Sequence, residues 1–277
     1  MCPDAREDAP PAPLTRHTVE GLAVLRRQPA ADAPLVVLVH GAMDRAASFG
    51  RTMRRLGDLD VVAYDRRGYD RSLDAGVAGG LSGGLSDHAA DLAAVLAWAG
   101  AHDRSATVVG HSLGGTIALV LAGADPAAVV GLGLFECPVP GRPGYRSDGA
   151  DLALAAASEG GPPAAAEAFY RLMVGAATWD RLRDGDRELR RSEGAALVAE
   201  LRDLARAGAV PDPGGVLLPA LVGTGDADGG YWAEAAVDLV GALPSAELVV
   251  LPGAGHGAHL GRPDEFARYV RRCVRGG

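Results

Sequence analysis

From residue 35 onward the chain repeats one rhythm. A short uninterrupted apolar run gives way to a loop opened by small or polar residues, and then to a stretch whose apolar positions recur every three or four residues. Leu35-Val36-Val37-Leu38-Val39, closed by His40-Gly41, is the first such run, and others lie at 60–64, 106–109, 129–135, 218–222 and 247–251. Apolar runs without polar alternation mark strands buried on both faces of a parallel sheet. Helix-period segments fall between them, near 45–56, 87–99, 113–123, 232–242 and 263–274. Ahead of this series, Thr15 to Arg26 alternates around Glu20-Gly21 and predicts an antiparallel hairpin. The expected fold class is α/β: a three-layer αβα sandwich around a mostly parallel central sheet.

One interval breaks the rhythm. Residues 138–218 hold no convincing strand and, after the Pro-Gly-rich start Pro138 to Gly144, are rich in Ala, Arg, Glu and Leu. That is too long for an unstructured loop inside a domain, so it predicts a helical cap or lid over the carboxyl edge of the sheet. The plainer alternative is an ordinary part of the core. The expected organisation is a disordered lead over 1–13, an α/β core over 14–137 and 219–277, and the cap between. The glycine-rich stretch Asp74 to Gly84 reads as a flexible loop.

Composition narrows the function classes. Hydrophobic residues at 48% and charged residues at 22% are globular values and exclude collagen-like, disulfide-scaffold and disordered chains. A net charge of −8 disfavours nucleic acid as a partner, because sequence-independent binding neutralises phosphates with a basic surface. All 27 basic residues are Arg and there is no Asn, a bias of genome composition rather than of phosphate recognition. No run of about 18 apolar residues occurs, so no membrane span is expected. The start, MCPDAREDAPPAPL, lacks the apolar segment of a signal peptide, which also removes Cys2 as a lipid-attachment site. Cys2, Cys137 and Cys273 are unclustered and fit free thiols in a reducing cytoplasm. Nothing in the pattern specifies an oligomeric state.

The candidate chemistry begins at Gly110-His111-Ser112-Leu113-Gly114, a G-x-S-x-G match. With 39 glycines in the chain such a match can arise by chance, and Gly80-Leu81-Ser82-Gly83-Gly84 is a second one. Context separates them. Ser112 lies between an apolar run and a helix-period segment, where a sharp strand-to-helix turn lifts a serine hydroxyl clear of the sheet, whereas Ser82 has neither neighbour. A neutral serine needs a base, and the base an orienting acid. His256 is the favoured base, because Pro252-Gly253-Ala254-Gly255-His256 is a glycine-rich loop after the last strand; His259 is its rival, and His111 on the turn itself is expected to pack. Three carboxylates at strand ends compete for the acid: Asp226, Asp228 and Glu136.

At these residues the chain resembles the α/β-hydrolase superfamily over about 35–274. The serine turn, His40-Gly41, the segment Asp65-Arg66-Arg67-Gly68-Tyr69-Asp70-Arg71-Ser72 and the loop ending in His256 carry the likeness. The loop His40-Gly41-Ala42-Met43-Asp44-Arg45 is similar to that of actinobacterial α/β-fold hydrolases with an HGxMDR-like sequence. Asp70 departs from the family pattern, which has Gly there. The resemblance implies that the acid follows the glycine of a G-x-x-D turn by three residues, favouring Asp228. It further implies an oxyanion hole built from the backbone N–H of Leu113 and of Ala42 or Met43. Expected wall residues of the substrate pocket are His111, Glu136, Phe169, Tyr170, Met173 and Trp179.

The leading expectation is therefore a serine hydrolase without cofactor or metal, acting on an apolar small-molecule ester, lactone or thioester through Ser112, His256 and Asp228. Two alternatives remain: the same triad used for carbon–carbon hydrolysis, acyl transfer or perhydrolysis, and a non-catalytic small-molecule-binding protein on the same fold.

Overall fold

The computed structural model describes residues 12–75, 83–143, 145–206, 208–227 and 229–276. Most of the expected disordered lead, Ser82 and Asp228 lie outside the described residues. The strands are β1 (Thr15–Val19), β2 (Leu22–Arg27), β3 (Leu35–Val39), β4 (Asp60–Tyr64), β5 (Ala106–His111), β6 (Gly131–Phe135), β7 (Ala220–Gly225) and β8 (Ala246–Leu251). They form one sheet in the order β1-β2-β4-β3-β5-β6-β7-β8. The β1–β2 and β2–β4 pairings are antiparallel, and every pairing from β4 to β8 is parallel.

From β3 to β7 the apolar runs are continuous because each strand feeds two cores, whereas β8, expected to be buried on both faces, is an edge strand that leaves Leu248 and Val250 exposed. In β3, Leu35, Val37 and Val39 join one buried cluster while Val36 and Leu38 join the other. Period-two alternation is thus present in which side is faced, not in polarity. The first cluster is closed by α2 (Leu85–Ala99), α3 (Leu113–Ala124) and α8 (Gly230–Ala242), and the second by α1 (Gly50–Arg55) and α10 (Pro263–Gly276). A short α9 (Ala258–Gly261) precedes α10. None of the described helices is long and apolar enough to cross a membrane.

Between β6 and β7 lies the helical insertion: α4 (Asp148–Val174), α5 (Ala176–Asp180), α6 (Asp184–Ser192) and α7 (Gly194–Leu204). Gly161, at φ 75°, interrupts α4 just before Pro162-Pro163 and kinks it. At that kink Gly194 comes so close that a Cβ there would stand 2.0 Å from the carbonyl oxygen of Pro162. Leu197, Leu201 and Leu204 of α7 belong to the same buried cluster as β3 and α3. The insertion and the sheet therefore share one core, and the cap is fixed to the carboxyl edge by burial of apolar surface.

Candidate active site

The register of the parallel strands aligns their carboxyl ends, with His111 opposite Phe135, Phe135 opposite Gly223 and Gly225 opposite Leu251. Ser112 follows β5 and precedes α3 with φ 53° and ψ −128°, a conformation costly for a residue with a Cβ. Two glycines permit it. A Cβ on Gly110 would lie 2.3 Å from the amide nitrogen of Gly115, and one on Gly114 only 2.1 Å from the carbonyl oxygen of Val39. The Ser112 N–H is held by the Phe135 carbonyl at 2.8 Å.

His256 stands in the loop after β8. Its Nδ1 is 2.6 Å from Oε2 of Glu136, a carboxylate 1% exposed at the carboxyl end of β6. Oε1 of Glu136 in turn accepts the Gly225 N–H at 2.9 Å. Among the described residues the carboxylate on Nδ1 is Glu136, one of the three strand-end candidates, while Asp228, favoured by the resemblance, lies outside the described residues. Asp226 is turned elsewhere, accepting the N–H of Gly253 at 2.6 Å. β6 pairs directly with β5, and Glu136, with a backbone φ of 47° at the strand end, reaches across to His256.

His256 is fixed on two further sides. Trp232, near the start of α8, stacks on its ring at 4.6 Å between centroids and 10° between planes. His111 packs its ring 4.7 Å away and meets the His256 carbonyl with Nε2 at 2.7 Å. Burial, with His259 and His256 nearby, holds His111 well below the ordinary imidazole range, so it is neutral and donates through Nε2–H. His111 is thus a support beneath His256 rather than a pocket wall.

An apolar pocket of about 260 Å³ opens at Ser112. Ala42, Leu113, Phe169 and Met173 line it, as do Leu172, Leu201, Leu204, Tyr145, Tyr231 and Trp232. Expected wall residues that do not line it are explained by their partners. Tyr170 and Trp179 pack on each other at 5.6 Å inside the cap, with arginines over both rings, and Glu136 is committed to His256. Met43 is buried at φ 56° and offers its carbonyl to Arg190 at 3.2 Å. Sequence reasoning missed Tyr231 and Trp232, although an aromatic pair opening the helix after β7 was a usable signal. A larger polar cleft of about 490 Å³, beside the β1–β2 hairpin, contains neither Ser112 nor His256.

A model of the alpha/beta hydrolase family matches residues 36–269. The chain belongs to that family. Among solved structures, this α/β hydrolase is similar to a putative lipase from Acinetobacter baumannii, at 17% identity and TM-score 0.71, covering 96% of this chain and 92% of that one. It is also similar to a haloalkane dehalogenase from Bradyrhizobium elkani, at 20% identity and TM-score 0.68, covering 95% and 98% of the two chains. The enol-lactonase from Burkholderia xenovorans matches at 21% identity and TM-score 0.66, over 94% and 100%. At these identities the likeness is one of fold. Comparison with curated protein sequences yields no match.

For a metal, the described residues of this hydrolase bring Asp44, His111 and His259 together, with ligand atoms within 4.8 Å of one another. One ring nitrogen of each histidine is engaged, Nε2 of His259 with Asp44 at 3.1 Å and Nε2 of His111 with the His256 carbonyl, while Nδ1 of His111 and of His259 are buried without a hydrogen-bond partner among the described residues.

Proposed function

We propose that this α/β hydrolase is a cofactor-free serine hydrolase that cleaves a compact apolar ester, lactone or thioester through an acyl-enzyme on Ser112. The observation that carries this reading is the 2.6 Å contact between Glu136 and Nδ1 of His256 at the edge where the strained Ser112 turn opens into an apolar pocket.

In the first half-reaction Ser112 Oγ attacks the carbonyl carbon and its proton passes to Nε2 of His256. Glu136 keeps the Nδ1–H tautomer in place and stabilises the imidazolium that forms. The carbonyl π electrons move to oxygen, and the backbone N–H groups of Leu113 and Ala42 receive the oxyanion. When the tetrahedral centre collapses, the leaving alcohol or thiol takes the proton from His256. Water then repeats the sequence on the acyl-enzyme, with His256 as base, and releases the acid. Ser112 and both proposed donor residues border the same pocket. A serine at this turn is unlike the aspartate nucleophile expected of dehalogenase or epoxide hydrolase chemistry.

A fluorophosphonate probe tests the reading. Native protein is expected to be labelled stoichiometrically and Ser112→Ala not at all, while Ser82→Ala labels like native. Failure of the native chain to label at any probe concentration overturns it.

A further inference from the structure

Cap and oxyanion loop are joined by a buried charge network that the triad does not use. Arg66, in the loop after β4, has a fully buried guanidinium that donates through Nε to the His40 carbonyl and through Nη2 to the Gly41 carbonyl, each at 3.0 Å. Its Nη1 is paired with Oε1 of Glu200, also fully buried, on cap helix α7. Glu200 is itself held by Tyr69, whose hydroxyl donates to Oε2 at 2.7 Å, and by Nε2 of His88 at 2.8 Å. The Gly41 carbonyl receives a second bond, from Nδ1 of His40 at 2.8 Å.

The geometry of the peptide unit gives this tie a consequence. In a trans peptide the carbonyl of one residue and the N–H of the next point in opposite directions in one plane. No peptide bond described here is cis. Fixing the Gly41 oxygen on Arg66 and His40 therefore aims the Ala42 N–H the other way, and Ala42 borders the pocket with Ser112 and Leu113. Arg66 can sit without water only because a carboxylate neutralises it, and that carboxylate belongs to the cap. We propose that Glu200 is a positioning residue for catalysis: through Arg66 it orients the Ala42 N–H, so the cap sets the oxyanion hole. This rests on the serine-hydrolase reading above and adds to it which loop amide is used and what aims it.

The test separates positioning from simple bracing of the fold. Glu200→Gln is expected to keep its far-UV circular dichroism and a KM for a p-nitrophenyl ester within about twofold, while kcat falls roughly 10- to 100-fold, part of the ~10²–10³ that complete loss of an oxyanion donor costs. Inhibition by an aryl trifluoromethyl ketone, whose hemiketal oxygen occupies the same hole, is expected to weaken in parallel. Glu167→Gln, which breaks ion pairs to Arg171 and Arg191 within the cap, serves as the control and leaves kcat unchanged. A folded Glu200→Gln with native kcat and native ketone affinity overturns the proposal. Should that variant fail to fold, Arg66→Met combined with Glu200→Leu removes both charges, a replacement that is often neutral for stability. That pair is expected to fold and be slow, and a folded, fully active double variant also overturns the proposal. Native protein that takes no fluorophosphonate label overturns the serine-hydrolase reading and this proposal together; labelled native protein beside an unaffected Glu200→Gln overturns this proposal alone.

Discussion

At the scale of single residues, the site depends on atoms for which no substitute is close. Glu136→Gln keeps the shape but replaces the acceptor charge facing Nδ1, favouring the wrong imidazole tautomer; kcat is expected to fall by ~10³–10⁴, with KM nearly constant. Steady-state kinetics check this, and a loss below tenfold would give the acid's role to another carboxylate. Gly114→Ala is a different case, because its Cβ would meet the Val39 carbonyl oxygen, which is backbone and cannot swing away. Overpacking costs roughly 1–3 kcal/mol, and occasionally more, so the variant is expected to melt below native in a thermal scan. The glycines of the serine turn were legible from sequence because they flank one residue in a fixed local geometry. Glu136 could be shortlisted but not singled out from sequence, since three acidic residues follow neighbouring strands and only the tertiary structure brings Glu136 to Nδ1 of His256.

At the scale of elements, the pocket is built where α4 and α7 of the cap meet α8. Phe169, Leu201 and Leu204 close it from the cap side, and its volume of about 260 Å³ lies near the lower bound of ~300–1,000 Å³ common for small-molecule sites. Short and medium acyl esters are therefore expected to be cleaved faster than palmitate. Leu201→Ala combined with Leu204→Ala is expected to shift the optimum of a p-nitrophenyl ester series towards longer chains; an unmoved optimum would place the acyl group elsewhere. The presence of a helical insertion was legible in the missing strand between β6 and β7. Which of its aromatic residues border the pocket was not, because Phe169, Tyr170 and Trp179 all read as packing positions of a helical segment, and tertiary packing sets Tyr170, half-buried, against the buried Trp179.

At the scale of the whole molecule, buried ionisable groups set the pH range of stability. Burial lowers His40 to about 3, with Arg66 adding to the effect, and lowers His88 and His111 below the ordinary imidazole range. Burial opposes ionisation of Glu200, but Arg66 and His88 outweigh it and hold the carboxyl at about 2. For each of these the unfolded chain binds the proton first, so their stabilisation is present above the unfolded value and is lost as pH falls towards the folded one. Burial raises Asp65 to about 6 and Glu193 to about 8, and these two act in the opposite sense, losing stabilisation as pH rises through those values. Below about pH 6.5 the three histidines outnumber the two raised carboxyls. The urea midpoint is expected to be lower at pH 5 than at pH 7, by on the order of 1–2 kcal/mol in stability; an equal or higher midpoint at pH 5 would contradict it.

The sequence by itself determined the order of strands and helices, the serine turn and the histidine loop, because these rest on local periodicity and on glycines a fixed few residues from a functional side chain. It did not determine that Glu136 meets His256, that Trp232 stacks on that ring, or that a cap carboxylate neutralises the arginine beneath the His40–Ala42 loop. Glu136 and His256 are 120 residues apart, and Arg66 and Glu200 are 134 apart. Pairings over such separations leave no periodic trace in a single chain. They exist only once burial of the shared apolar core brings the strand ends and the cap together and makes each buried charge take the partner within reach.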